Sequence, residues 1–324
     1  MSMVPLHKTS KAALGDYPKP AFVRFRELFS DGIGFPALMV APALLTLAVV
    51  IGFPIVKGLI LSFQMVKLTN PLSGGDFTLH NYFKMFSDKN VLASIWRSCI
   101  YMTGSVLGAT LVGLLAALLT RKAFTGRALF RTFFILPWAI PAVATTLVWG
   151  VMYDANFGVM NRIVQLLPGI DANIEWLIDR NYVLGSLIAV QIWGDFPVAY
   201  LFLLAGLQAI PEELYEAANV DGANSWQQFW HITAPQLRYI VTVTIVLLGI
   251  LSFRSFAVVH ILTGGGPNRR TETLVIQTYN AAFRSFDFSY GAALGILSLI
   301  FSVVIVGLYI RLTLGREMRG ASAT

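Results

Sequence analysis

Long apolar stretches separated by short polar segments dominate this chain. Four of them contain no Asp, Glu, Lys or Arg, and two more contain one charged residue each, Asp195 and Arg254. About 20 apolar residues in a helix cross the hydrocarbon core of a bilayer. The pattern therefore predicts six transmembrane spans, at about 35–61, 95–120, 130–153, 183–208, 239–262 and 289–312.

The composition agrees with a membrane protein. Of 324 residues, 56% are hydrophobic and only 13% are charged, and the mean hydropathy is +0.67. These values are too apolar for a soluble globular domain. We therefore predict an all-α integral membrane protein with a transmembrane domain over residues 32–313.

The distribution of basic residues predicts the orientation of the spans. Lys and Arg accumulate in short cytoplasmic loops, and placing both termini inside puts thirteen of them on the inner side and eight on the outer side. Residues 1–31 and 314–324 are then cytoplasmic tails. In the first tail, Phe22, Phe25 and Phe29 share one helical face, which predicts a helix lying in the membrane interface.

A polar loop at 209–236 interrupts the apolar pattern on the predicted cytoplasmic side. It contains "EELYEAANVDGANSWQQFWHITAP", residues 212–235. Pro211 and the acidic residues after it favour a short helix to about Val220, and Gly222 suits its end. Ser225 and Gln228 have the spacing of a capping box, which predicts a second short helix that Pro235 ends.

Three aromatic residues of this loop, Trp226, Phe229 and Trp230, would share one face of the second helix. Clustered exposed aromatic side chains are typical of protein interfaces. Tryptophan also lies at lipid headgroups. The residues alone leave docking and a membrane-surface position open.

The sequence contains no recognisable motif for ATP binding or catalysis. A phosphate-binding loop of the form GxxxxGK[ST] is absent, and so are a GxSxG elbow and any Cys/His cluster with metal-ligand spacing. A protein of this kind that is driven by ATP would depend on a separate subunit.

The segment "EAANVDGANSWQQFWHITAP" resembles the signature of ABC importer permeases. Six positions match at the family spacing, while Ala234 stands where leucine is usual; the matching residues are Glu216, Ala217, Ala218, Gly222, Ile232 and Pro235. The resemblance implies the six-span type I (MetI-like) fold, with this loop as a coupling helix in a cleft of an ATPase subunit. The expected interface comprises Glu216, Ala217, Ala218, Asp221, Gly222, Trp226, Phe229 and Trp230.

The same resemblance implies partners and a location. It predicts a second homologous permease, two ATP-binding subunits and a periplasmic substrate-binding protein, in the bacterial inner membrane. ATP and Mg would bind to the partner ATPase, and this chain would bear no cofactor and no catalytic residue. The alternatives are a stand-alone ion- or proton-coupled carrier that uses Asp195 and Arg254, and an embedded enzyme.

Other segments, including "ILPWAIPAVATTLVWGVMYDANFGVMN" and "ILTGGGPNRRTETL", resemble the larger permease of carbohydrate importers of the maltose and glycerol-phosphate group. The turn Gly264, Gly265, Gly266 and Pro267 would lie outside the membrane. It would face the binding protein or the partner permease, or simply end a span.

Ionisable residues at the middle of a membrane usually face a cavity or a partner. Arg254 departs from a neutral-sugar pattern, so we hypothesise an anionic sugar derivative (sulfonated, phosphorylated or uronate) that Arg254 binds. The alternative is a structural pair of Asp195 with Arg254. The predicted substrate path comprises Gln191, Trp193, Asp195, Tyr200, Ser252, Arg254 and Ser255, and Gly194 with Pro197 predicts an irregular fourth span.

Overall fold

The computed structural model describes residues 34–66, 76–166 and 173–321. The predicted interfacial helix near Phe25 and the tail 1–31 lie outside these residues. The described part is built of helices, which confirms the all-α class. Helices α1 to α14 are Gly34–Leu47, Phe53–Ser62, His80–Ser87, Lys89–Arg121, Arg127–Ala139, Ala142–Met152, Val159–Gln165, Val183–Gln208, Glu213–Val220, Ser225–Gln228, Ala234–Phe253, Ala257–Leu262, Leu274–Tyr279 and Phe288–Ala321.

Three π-helical turns connect consecutive helices. They are Ala48–Gly52, Phe229–Thr233 and Asn280–Arg284. In the described ranges, five helical stretches are long and apolar enough to cross a membrane, and a bent pair makes six if it is one span. The five stretches are Ala37–Ser62, Lys89–Arg121, Val183–Gln208, Ser225–Phe253 and Phe288–Gly307.

The third predicted span is not a single straight helix. It consists of α5 and α6, which meet at an angle of 98°. Pro141 has no backbone N–H and disfavours helical dihedrals at the residue before it. Ile140 is accordingly extended, with φ −87° and ψ 130°, and the predicted span at about 130–153 is divided into two helices here.

The fourth and fifth spans also differ from expectation. Helix α8 runs without interruption through Pro197, so the predicted irregularity is absent there; neighbouring helices make a proline tolerable in a membrane helix. The fifth span breaks instead. Helix α11 ends at Phe253, and α12 begins at Ala257.

Helices α4 and α8 pack closely at the centre of the domain because α4 presents glycines to α8. A Cβ atom on Gly113 would lie 2.7 Å from both the Ala199 Cβ and the Tyr200 backbone nitrogen. Gly104 and Gly108, one turn apart, face Ile188 and Ile192 in the same way. Small residues at this spacing let backbones approach in membranes, and they hold α8 in the position from which its polar residues reach α11.

Candidate functional site

A cavity of about 620 Å³ lies where the broken helices meet α8. Pocket volumes between about 300 and 1,000 Å³ are typical of small-molecule sites. The α5–α6 bend and the start of α12 supply apolar walls, and α8 supplies polar groups. The polar lining residues are Thr145, Thr146, Gln191, Asp195 and Ser255.

A hydrogen-bond network holds the polar wall of this cavity. Asp195 Oδ2 accepts hydrogen bonds from Gln191 Nε2 and from Ser252 Oγ, each at 2.9 Å. Gln191 Oε1 accepts from the hydroxyls of Tyr101 and Ser255, each at 2.8 Å. The network joins α4, α8 and the break after α11, and it presents the carboxylate and the amide to the cavity.

Arg254 follows the last residue of α11 and is exposed. Asp195 and Arg254, both among the described residues, form no ion pair within the 4.0 Å limit for a salt bridge. The carboxylate is satisfied by Gln191 and Ser252 instead. Pairing between the two charges, one of the two interpretations of the sequence, is therefore not the arrangement in this structure.

Four residues of the predicted substrate path do not line the cavity: Trp193, Tyr200, Ser252 and Arg254. Tyr200 is fully buried, with its hydroxyl 3.0 Å from Thr120 Oγ1. Trp193 packs edge-on against Trp149, with ring centroids 6.1 Å apart. Both side chains have partners within the protein, and their predicted contacts with a sugar stay predictions.

Two residues that the sequence reasoning missed belong to the site. Trp138 lines the cavity and is 63% exposed, so its ring offers a stacking surface for a sugar. Tyr101 is buried and orients Gln191. Pro137 and Pro141, which flank the Trp138–Ile140 segment, could have indicated Trp138. No local sequence feature marks Tyr101.

Hydrogen bonds of Thr271 hold the glycine-rich turn at the end of α12. Gly264 and Gly265 have positive φ values of 59° and 97°, and the Gly266–Pro267 peptide bond is cis. Thr271 Oγ1 donates to the Gly266 carbonyl oxygen at 2.6 Å and lies 2.7 Å from Thr263 Oγ1. The turn has one defined shape, and its contact with a binding protein or a second permease stays a prediction.

At the opposite end of α8, the polar loop forms helix α9 with an exposed acidic surface. Glu216, Ala217, Asp221 and Gly222 are exposed, while Ala218 is half-buried. Gly222 has a φ of +81° and ends the helix in the left-handed conformation that glycine adopts readily. These positions are accessible to another protein.

The second helix of the loop starts one residue earlier than predicted, because its cap is Asn224 and not Ser225. Asn224 and Gln227 form the capping box, with Gln227 N donating to Asn224 Oδ1 at 2.9 Å and Asn224 N donating to Gln227 Oε1 at 2.8 Å. The predicted pair Ser225 and Gln228 is wrong because asparagine is an equally good cap and its side chain reaches the third residue of the helix.

Pro235 does not end this helix, contrary to expectation. The π-helical turn Phe229–Thr233 leads directly into α11, whose first turn contains Pro235. The second helix of the loop and the fifth span therefore form one continuous helical stretch, Ser225–Phe253, up to the break at Arg254.

The three aromatic side chains of the loop do form one cluster. Ring centroids lie 5.7 Å apart for Trp226 and Trp230, and 5.2 Å apart for Phe229 and Trp230. Trp226 is 70% exposed. An apolar surface of this kind beside the acidic helix is suited to contact with a protein or with lipid.

Comparisons with known proteins agree with this architecture. The family model described as binding-protein-dependent transport system inner membrane component matches residues 109–314. The chain is 30% identical to the sulfoquinovosyl glycerol transport system permease protein of Agrobacterium fabrum, over 85% of this chain and 89% of the relative. It is 31% identical to the trehalose/maltose transport system permease protein of Thermococcus litoralis, over 72% of this chain and 78% of the relative.

Among solved structures, the chain is similar to a chain of a bacterial ABC transporter involved in the import of the acidic polysaccharide alginate. The TM-score is 0.74 at 19% identity, and the match covers 90% of this chain and 99% of that chain. At this identity the likeness concerns the fold.

Proposed function

The chain belongs to the family of binding-protein-dependent transport system inner membrane components, the permeases of ABC importers, and on this premise we propose that it imports a carbohydrate with an acidic group. Its midspan cavity carries hydroxyl-binding groups, and the exposed Arg254 follows the end of the neighbouring helix α11, outside the cavity lining. The permease has no chemistry to perform on the sugar. Its role is to open the path to one side of the membrane at a time.

The observation that carries the anionic substrate is the environment of Arg254. This guanidinium is exposed at the break after α11, while Asp195 is occupied by Gln191 and Ser252. An arginine at such depth costs about 2.5 to 3.5 kcal/mol on insertion scales, so a compensating anion is expected. A sulfonate, phosphate or carboxylate accepts two parallel hydrogen bonds from the planar guanidinium group of an arginine.

The relatives support carbohydrate transport without choosing between charged and neutral sugars. One is named for sulfoquinovosyl glycerol and another for trehalose and maltose, at nearly equal identity. Gln191, Asp195 and Ser255 suit the hydroxyl groups of either class. Arg254 is the group whose chemistry favours the charged one.

The energy would come from partner subunits. We infer that helix α9 and the aromatic cluster contact an ATPase subunit, and that two such subunits, a second permease and a periplasmic binding protein complete the complex. ATP and Mg would bind to the ATPase alone. The chain would lie in the inner membrane with both termini cytoplasmic, and helix α10 would transmit the motion of the ATPase straight into α11.

A stand-alone carrier that relays charge between Asp195 and Arg254 is the weaker proposal. The two residues do not pair in the structure, and such a carrier has no use for an exposed acidic helix at the end of a span.

The test is uptake by proteoliposomes that contain the complete complex, with a uronate or sulfonated glycoside compared with the matching neutral glycoside. We expect Arg254→Gln to raise the half-saturating concentration of the acidic sugar about 10- to 100-fold, as a hydrogen bond to a charged group contributes about 1.5 to 3 kcal/mol. Arg238→Gln is the matched control, since this arginine is also exposed and lies in α11, the helix that ends just before Arg254. Equal effects of the two variants, or uptake of the neutral sugar alone, would reject the anionic substrate and leave the importer assignment intact.

A further inference from the structure

A second cavity, of about 460 Å³, lies at the membrane face opposite helix α9. It is formed by the first turns of α4, by the residues that lead into α8, and by the loop after the glycine-rich turn. Three arginines line it, Arg97, Arg180 and Arg270, together with Asn181. With the cytoplasmic termini proposed above, this is the outer face, where basic residues are normally less frequent.

The arginines of this cavity form no direct ion pair within the described part of the chain. None of the three guanidinium groups has a carboxylate partner there within the 4.0 Å salt-bridge limit. Asp179, next to Arg180, accepts a hydrogen bond from the Asn181 backbone nitrogen at 2.8 Å, and Glu272, near Arg270, pairs with Arg269 at 2.9 Å. Arg97 donates only to the Glu272 backbone carbonyl oxygen, at 3.5 Å. Three like charges around one cavity repel each other, so the arrangement favours a bound anion.

An exposed apolar stripe continues from the cavity along α4 toward the middle of the membrane. Trp96 and Ile100 line the cavity, and Leu107 and Leu111 follow on the same face; all four are exposed. At 1.5 Å per residue the stripe is about 22 Å long. That length exceeds half of a hydrocarbon core of about 30 Å, so one acyl chain fits along it.

We propose that this cavity binds the headgroup phosphate of an acidic phospholipid of the outer leaflet, with an acyl chain along the stripe of Trp96, Ile100, Leu107 and Leu111. Arginine is the side chain best suited to bind a phosphate through two parallel hydrogen bonds, and tryptophan favours the headgroup level. A soluble anion would bind the guanidinium groups but would make no contact with the apolar stripe. The combination of the two surfaces specifies a lipid.

The experiment measures binding of phosphatidylglycerol and of phosphatidylcholine to the detergent-solubilised complete complex by native mass spectrometry. The test variant is Arg180→Gln combined with Arg270→Gln, because both residues are exposed and neither side chain donates a hydrogen bond to a described residue. The control variant, Arg162→Gln with Arg284→Gln, removes the same charge from the same face outside the cavity.

We expect the test variant to bind phosphatidylglycerol about 25-fold more weakly than the unmodified complex, since each arginine near an acidic headgroup contributes about a factor of five. The control variant and phosphatidylcholine binding should be unchanged. Equal phosphatidylglycerol affinity in the test and control variants would overturn the proposal. Displacement of the lipid by millimolar inorganic phosphate would also overturn it, because the site would then select a free anion.

Discussion

The hydroxyl of Tyr215 lies 2.8 Å from Thr233 Oγ1, and this contact fastens helix α9 to the base of α11. Tyr215 is buried, and the Arg121 guanidinium lies 3.8 Å from the centre of its ring. One side chain thereby connects the exposed acidic helix to the ends of two spans. We expect this contact to transmit a displacement of α9 by a bound protein to α11, which ends at the break before Arg254.

Replacing Tyr215 with phenylalanine removes only this hydrogen bond. We expect a loss of about 1 kcal/mol in the free energy that couples α9 to α11, seen as fewer sugar molecules transported per ATP hydrolysed, with assembly intact. Tyr239→Phe is the control, since that tyrosine is exposed and its hydroxyl forms no hydrogen bond with a described residue. Identical transport stoichiometry in both variants would show that the contact does not transmit motion.

Gly222 adopts a left-handed conformation that an L-residue disfavours by about 1 to 2 kcal/mol. Its φ is +81°, and a Cβ atom there would have no neighbour within 4 Å. Gly222→Ala should therefore lower the affinity of the permease for the ATPase subunit through backbone strain alone. Gly222→Asn should lower this affinity by a smaller amount. Gly185→Ala, at an equally open helical position, should have no such effect; a similar loss there would disprove the explanation by backbone conformation.

The close contact of α4 with α8 predicts sensitivity at Gly113. A methyl group there would lie 2.7 Å from the Tyr200 backbone nitrogen, and overpacking of this kind typically costs about 1 to 3 kcal/mol. Gly113→Ala should lower the thermal unfolding temperature in detergent. Gly295→Ala in α14 has free space around it and should leave the temperature unchanged or slightly higher, so a drop in both would contradict the argument.

Gln191 organises the polar wall of the midspan cavity. Gln191→Leu leaves the buried Tyr101 hydroxyl without its acceptor at 2.8 Å, at a cost of about 1 to 3 kcal/mol. We expect lower stability and a weaker response to every sugar tested, acidic or neutral. The double variant with Tyr101→Phe should recover stability, and a failure to recover would mean that the Tyr101 contact is not what the leucine disrupts.

The sequence predicted the features that depend on local pattern. Apolar length identifies the spans because the bilayer requires it, and Gly222 marks the end of α9 because its conformation is a property of glycine. The break at Arg254 and the bend of 98° between α5 and α6 depend on packing, since proline alone breaks one helix at Pro141 and not another at Pro197.

The contacts between distant segments could not be read from the chain. Tyr215 and Thr233, or Tyr101 and Gln191, meet only after the spans have packed, and nothing in their local sequence marks them. Asp195 and Arg254 are the opposite case: their charges suggested a pair, but the Asp195 carboxylate accepts hydrogen bonds from Ser252 and Gln191 instead.

The central claim, that helix α9 couples this permease to an ATPase, is tested by affinity purification of the chain in mild detergent. Subunits that co-purify and binding-protein-dependent ATP hydrolysis are scored for Glu216→Ala and Gly222→Asp, with Glu175→Ala as a control at an exposed carboxylate outside the loop. Truncating one partner of a buried charge pair at an interface costs about 2 kcal/mol or more. Gly222→Asp instead places a side chain at a left-handed position that an L-residue disfavours by about 1 to 2 kcal/mol. Both loop variants should therefore lose about tenfold or more of the stimulated hydrolysis while the control retains it. A chain that purifies alone and still transports sugar in liposomes would contradict the account.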